Sequence, residues 1–307
     1  MPSSERHRTG TRITERRNPR SATLDAKSTL EILRIINRED ARVAGAVRKV
    51  MPAIARVVDM AVGALAKGGR LVYLGAGTSG RLGVLDAAEC IPTFGTEQVV
   101  AVMAGAPGSM FRPSETSEDD PALGERDLRR IKLSRGDVLV GISASGRTPY
   151  VMGALRYARR LRVPAALLTA NPEAEASKLA MVTVAPVVGP EVIAGSTRMK
   201  AGTAQKLVLN MISTATMVRL GRVFSNLMIQ VQLRNAKLRK RAEGILIEST
   251  GATSAQARKT LKESGMSLAA AMLMLAKGVD SEKAAALLRR GPSTSAVLRR
   301  ALKDVER

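Results

Sequence analysis

Apolar residues early in the chain recur every three or four positions: Val43, Val47, Val50, Met51, Ile54, Val57, Val58, Ala61 and Leu65 form one stripe. That is the helical period, so this stretch is expected to be helix, broken or kinked at Pro52 and ended by Gly68-Gly69. Ahead of it, Ser28-Thr29-Leu30-Glu31 has the form of a capping box and predicts a helix running to about Asn37. Beyond residue 69 the texture changes to short apolar runs separated by glycine-rich turns. Such runs read as buried parallel strands alternating with helices. The expected strands are Arg70–Leu74, Val99–Ala104, Val138–Ser143, Ala165–Ala170 and Met181–Val187, with helices near Arg81–Cys90, Pro149–Leu161 and Ser196–Leu220. The alternation predicts an α/β fold, a three-layer sandwich on a parallel sheet. From about Asn226 the chain is helical and basic, and Gly251, Gly265, Gly278 and Gly291-Pro292 cut it into a small C-terminal helical bundle. The expected division is residues 1–60 as a basic tail, mobile up to Thr14–Pro19, plus N-terminal helices; 61–224 as the α/β domain; and 225–307 as the C-terminal helical domain.

Two turns repeat one pattern. Leu74-Gly-Ala-Gly-Thr-Ser-Gly-Arg81 and Val140-Gly-Ile-Ser-Ala-Ser-Gly-Arg147 share Gly75/Gly141, Ser79/Ser145, Gly80/Gly146 and Arg81/Arg147. Each follows an expected strand and precedes an expected helix. A doubled strand–turn–helix unit suggests two turns meeting at the carboxyl ends of neighbouring strands.

Composition narrows the chemistry. In 307 residues there is one His (His7), one Cys (Cys90) and no Trp. A Ser-His-Asp triad, a histidine-based metal site and an internal disulfide are therefore excluded. Cys90 reads as a buried small hydrophobe. Acid–base chemistry falls to carboxylates, and no metal or other cofactor is expected. The formal charge is +22, from 49 Lys plus Arg against 27 Asp plus Glu. Clusters at Arg12/Arg16/Arg17/Arg20 and Lys237/Arg239/Lys240/Arg241 admit nucleic-acid binding. Three Phe and three Tyr leave little to stack on bases, so a solvated basic surface that attracts an anionic small molecule is preferred and no nucleic-acid partner is expected. No apolar run has the length of a membrane span and the N-terminus lacks a signal-peptide core, so a cytoplasmic protein without a membrane partner is expected.

Gly75-x-Gly77-x-x-Gly80 matches the dinucleotide fingerprint. That motif wants a carboxylate at the end of the second strand, but Val99–Ala104 runs into Gly105-Ala106-Pro107. Thr78, Ser79 and Gly80 in the first turn, with Ser143, Ser145 and Thr148 in the second, instead suit a phosphate ester held by hydroxyls and backbone N–H groups at helix N-termini. Purely structural glycine turns are the remaining reading. A third loop, Gly189–Lys200, brings Ser196, Thr197, Arg198 and Lys200 to the start of a helix. The helix dipole disfavours cations there, which points to an anion-binding task.

Long stretches carry a resemblance: Thr14-Glu-x-Arg-Asn-Pro19, Gly75–Cys90, Pro92-Thr-Phe-Gly95, Ala144–Val151 and Gly195–Asn210. The chain resembles the N-acetylmuramic acid 6-phosphate etherases of the SIS (sugar isomerase) superfamily, from Thr14 almost to its end. The resemblance implies a homodimeric SIS fold and a phosphorylated amino sugar as substrate. The D-lactyl ether of that sugar would be cleaved to N-acetylglucosamine 6-phosphate and D-lactate during cell-wall recycling. It implies that Glu89, in Asp86-Ala-Ala-Glu89-Cys90, donates a proton to departing lactate and that Glu118 is the second catalytic carboxylate. The family usually reads Val-Glu-Gly-Ala-Glu-Asp around the latter, where this chain has Ser114-Glu115-Thr-Ser-Glu118-Asp119, and Ile91 replaces a usual proline.

The chemistry is consistent with that inventory. In the open-chain sugar the C2 proton lies alpha to the aldehyde, so a carboxylate can remove it; lactate leaves C3 with help from a carboxylic acid, and water adds to the unsaturated product. Two rivals remain: a non-catalytic phosphosugar sensor, such as a SIS-type regulator or a relative of glucokinase regulatory protein, and an aldose–ketose isomerase.

Overall fold

The computed structural model describes residues 13–112, 115–233 and 236–302. Ahead of the first helix, Ile13–Glu15, Pro19–Ser21 and Leu24–Ala26 form short 3-10 turns. The part of the tail expected to be mobile lies, with His7 and Arg12, almost wholly outside the described residues.

The N-terminal helices are α1 (Thr29–Asp40), α2 (Val43–Arg48) and α3 (Met51–Leu65). The capping box is present: the Ser28 N–H donates to Glu31 Oε2 at 3.0 Å and the Ser28 hydroxyl to the same oxygen at 2.6 Å. Pro52 does not kink a continuous helix. It stands in the first turn of α3, where its missing N–H costs nothing, and the chain breaks just before it.

The α/β region then runs β1 (Leu71–Gly75), α4 (Gly77–Phe94), β2 (Val99–Met103), α5 (Glu115–Glu118), α6 (Pro121–Arg130), β3 (Val138–Ile142), α7 (Pro149–Leu161), β4 (Ala165–Leu168), β5 (Val182–Val184) and α8 (Lys200–Arg219). The five strands form one parallel sheet in the order β2-β1-β3-β4-β5. Every residue of β1 and β3 is buried, which is why these strands read as unbroken apolar runs. Side chains alternate between the sheet's faces. Val72, Leu74 and Leu139 join a core with Leu128 of α6 and Tyr150, Val151 and Leu155 of α7. Tyr73 and Ile142 meet α4 at Gly83 on the opposite face. The result is the expected three-layer sandwich.

The remainder is a short hairpin, β6 (Val223–Phe224) and β7 (Leu227–Met228), then α9 (Ala236–Thr250), α10 (Ser254–Glu263), α11 (Leu268–Lys277), α12 (Ser281–Arg290) and α13 (Thr294–Leu302). The glycines at 251, 265, 278 and 291 each fall between two helices, as expected. Ala242, Leu246, Leu261, Met272, Ala284 and Leu298 are among the buried residues of a separate core. Two compact units result: residues to Ala87 with Gln98–Ile212, and Ala88–Glu97 with Ser213 onward.

Candidate functional site

Strand order reverses between β1 and β3, which are adjacent while their crossovers lead to opposite sides of the sheet. In an open parallel sheet a crevice forms at the carboxyl ends of the strands at that point, and it is where ligands bind. β1 pairs in parallel with β3, Leu74 opposite Gly141 and Gly75 opposite Ile142, so the two repeated turns leave the sheet side by side.

The turn after β1 is the start of α4. Gly80 lies where helix and strand touch: a Cβ there would stand 2.6 Å from the Gly75 carbonyl oxygen and 2.7 Å from Met103 Cγ. Gly77 opens the helix with φ +52°, and a Cβ on it would stand 2.8 Å from Glu118 Oε1. Bare backbone at Gly77 is therefore what admits the Glu118 carboxylate to the end of β1. Ser79 is buried, and its hydroxyl donates to Gln205 Oε1 on α8 at 3.0 Å. Thr78 packs beside Gly202, on the first turn of the same helix. Arg81, shared by both repeats, turns away; its guanidinium donates to the carbonyls of Met110 and Ser109.

The turn after β3 brings three hydroxyls together. Ser143 Oγ lies 2.7 Å from Thr148 Oγ1 and 3.5 Å from Ser145 Oγ. Ser143 also accepts from the Gly146 N–H at 3.0 Å, and Ser145 from the Arg147 N–H at 3.3 Å. Thr148 is the N-cap residue of α7, so the cluster stands at the positive end of a helix. Ser145 and Thr148 are part-exposed.

The third loop is held from behind by the N-terminal turns. The Gly195 N–H donates to the Thr14 carbonyl, the Ser21 hydroxyl to the Val192 carbonyl at 2.7 Å, and Asn18 Nδ2 to the Pro190 carbonyl and to Glu39 Oε2. Ser196 and Thr197 are half-buried in this loop and Arg198 is exposed. Thr197 accepts from the Gly202 N–H, which links the third loop to the helix that carries Gln205.

Lys200 is expected among the substrate-binding residues, but its ammonium is turned inward. It is 1% exposed and lies 2.5 Å from Glu39 Oε2 and 3.0 Å from the Val188 carbonyl oxygen. Its charge is spent on this interior pair. Burial pushes the Glu39 carboxyl up, but Lys200, Asn18 and Arg20 outweigh burial and hold it below the usual carboxylate range. Glu191, also buried, accepts from the Lys200 and Ala201 N–H groups and so caps α8; burial pushes its carboxyl up.

Glu89 is exposed, farther along α4 in the segment that groups with the second unit, whereas Glu118 belongs to the first. Cys90 is buried, as expected. Of the stretch around Glu118, Ser114 lies outside the described residues. Sequence reasoning passed over Gln205, Glu39, Glu191 and Asn18. Asn18 and Gln205 stand inside the Thr14–Pro19 and Gly195–Asn210 stretches that carry the resemblance; Glu39 and Glu191 carry no signal beyond being carboxylates in a chain poor in them.

The family model of the glucokinase regulatory protein N-terminal SIS domain matches residues 53–159. Proteins named N-acetylmuramic acid 6-phosphate etherase from Yersinia pestis and Yersinia pseudotuberculosis are each 53% identical over 277 residues, covering 90% of this chain and 94% of theirs. A solved structure from Bacteroides fragilis, described as a phosphosugar isomerase involved in capsule formation, aligns with a TM-score of 0.50 at 21% identity. It covers 62% of this chain and 91% of that one, and supports the SIS-type fold.

Proposed function

The chain belongs to the N-acetylmuramic acid 6-phosphate etherase family, and from that premise we propose that it cleaves the D-lactyl ether of N-acetylmuramic acid 6-phosphate to N-acetylglucosamine 6-phosphate and D-lactate. The observation that carries this reading at the level of geometry is the Glu118 carboxylate lying against Gly77, at the switch point, next to a three-hydroxyl turn. A base and an anion cradle are what the reaction needs first.

The reaction is a carbon–oxygen lyase step followed by hydration. Phosphate rests on Ser143, Ser145 and Thr148 at the N-terminus of α7, with Thr78, Ser79, Gly80, Ser196 and Thr197 lining the crevice. Lys200 acts indirectly, by fixing the start of α8 and the third loop. Glu118 removes the C2 proton of the open-chain sugar, and the electron pair is held by the aldehyde. The pair then moves into the C2–C3 bond as the C3–O bond breaks, and Glu89, which stands twelve residues or about 18 Å along α4 from Gly77, protonates the departing lactate oxygen from a second copy of the chain. Water then adds: its hydroxyl goes to C3 as its proton passes to Glu89, and Glu118 returns its proton to C2. Each carboxyl ends in its starting protonation state, as a general acid–base pair requires. We also propose a homodimer acting in the cytoplasm; no helix among the described residues is long and apolar enough to cross a membrane.

The match to a regulatory protein's SIS domain favours a non-catalytic sensor as the second reading. It spans about a third of the chain, while the etherase relatives match over 90% of it. Incubating the protein with N-acetylmuramic acid 6-phosphate and assaying D-lactate decides between them: release at enzymatic rates supports the etherase, and tight binding without release supports the sensor.

A further inference from the structure

Gln205 sits early in α8 and is 2% exposed. Its Oε1 accepts the Ser79 hydroxyl at 3.0 Å, while its Nε2 has no hydrogen-bond partner among the described residues. A buried amide nitrogen without an acceptor is costly, so an interior that keeps one implies a partner from outside the chain. Because both heteroatoms of the amide share one carbon, Nε2 lies beside Ser79, in the first turns of α4. The backbone N–H groups and the dipole at that helix end favour negative charge. A buried donor thus lies within a few ångströms of Ser79, a residue of the first turn of α4.

We propose that Gln205 Nε2 donates to the lactyl carboxylate of the substrate, so that the start of α4 is the subsite for the substrate's second anion. This rests on the etherase reading. The substrate carries two anionic groups, and the three-hydroxyl turn before α7 suits the phosphate. The turn at α4 is less suited to phosphate, because the Ser79 hydrogen is already given to Gln205. It is also the turn against which Glu118 lies. Glu118 works at C2 and lactate leaves the adjacent C3, which puts the leaving group at α4 and the phosphate at α7. Gln205 would then be a specificity-determining residue, reading the group whose departure defines the reaction.

The test compares two ligands on two variants. N-Acetylglucosamine 6-phosphate keeps the phosphate, acetamido and aldehyde oxygens but has no lactyl carboxylate. In Gln205→Met the KM for N-acetylmuramic acid 6-phosphate is expected to rise about 10- to 100-fold, with the inhibition constant of N-acetylglucosamine 6-phosphate within about twofold of the parent. Gln205→Glu keeps an oxygen for Ser79 and replaces only the nitrogen. It should show the same split, relieved as the pH falls and the new carboxyl protonates into a donor. That second variant decides the matter if the methionine variant does not fold. Equal losses for both ligands would assign Gln205 to a shared oxygen and overturn the proposal, as would an unchanged KM in a folded variant. Failure of the etherase reading looks different: the parent itself would release no D-lactate.

Discussion

Replacing Lys200 with Met removes one half of an interior ion pair and leaves the other half behind. The parent ammonium is 1% exposed and bonds Glu39 and the Val188 carbonyl. Deleting one partner of a buried pair costs about 3–5 kcal/mol, most of it from the stranded charge. Here Glu39 would keep Asn18 Nδ2 at 2.8 Å and the Arg20 and Arg42 guanidinium groups at 3.2 and 3.4 Å. Those contacts place the expected loss at the low end, about 3 kcal/mol. For a unit of this size that corresponds to a fall in Tm of roughly 6–12 °C. The double variant Lys200→Met/Glu39→Gln removes the stranded charge as well and should recover about 1–3 kcal/mol. Thermal melts and urea titrations of the parent, both single variants and the double variant measure the cycle. A Lys200→Met loss below about 1 kcal/mol, or a double variant as unstable as the two singles added together, would refute the reasoning.

Four further outcomes are expected. Gly77→Ala forces a Cβ into a φ of +52° and to 2.8 Å from Glu118 Oε1, so kcat should drop and the strained backbone should also lower Tm by a few degrees; unchanged kcat would separate Gly77 from the base. Ser143→Ala, Ser145→Ala and Thr148→Ala should each weaken substrate binding by about 1–3 kcal/mol, read as KM, and unaltered values in all three would remove the cradle. In D₂O, Glu89→Ala should still exchange the C2 proton while losing lactate release, and Glu118→Ala should lose both by about 10²–10⁴-fold, measured by NMR beside a lactate assay; the reverse pattern swaps the roles. Arg70 and the Ser134 N–H outweigh burial and hold Asp137 below the usual carboxylate range, so its contribution is present above about pH 4 and lost as the pH falls through the lowered value. Asp137→Asn should therefore lower Tm at pH 7 and converge with the parent in acid, while Glu191, pushed up by burial, contributes with the opposite sign.

The sheet was readable because parallel strands buried on both faces leave continuous apolar runs such as Leu71–Leu74 and Val138–Ile142, and the glycine-cut C-terminal helices were readable because each break is local. Helix α4 starts at Gly77, four residues before its expected start, because glycines that serve close packing look like turn residues in one dimension. Helix α6 was not expected: it is short, and only Gly124 and Leu128 of its residues are buried. The hydroxyl turns were legible as local motifs. The inward turn of Lys200 was not, since nothing near it in sequence announces that Glu39 will be its neighbour. Burial of a charge is decided by contacts across the fold, which local spacing does not encode.

The clamp on the third loop also sets an order of events during synthesis. Asn18 meets the Pro190 carbonyl across 172 positions, and Glu39 meets Lys200 across 161. A ribosome releases the first half of this clamp before any strand of the sheet exists, and the second half only after β5 has emerged. Contacts so far apart in sequence form late, because the intervening chain must be ordered first. Until then Glu39 has no lysine and stays hydrated, and the loop bearing Ser196 and Thr197 has nothing to close against. The α/β core can thus be complete in a nascent chain whose third loop is still open, and the segment made first is among the last to be fastened.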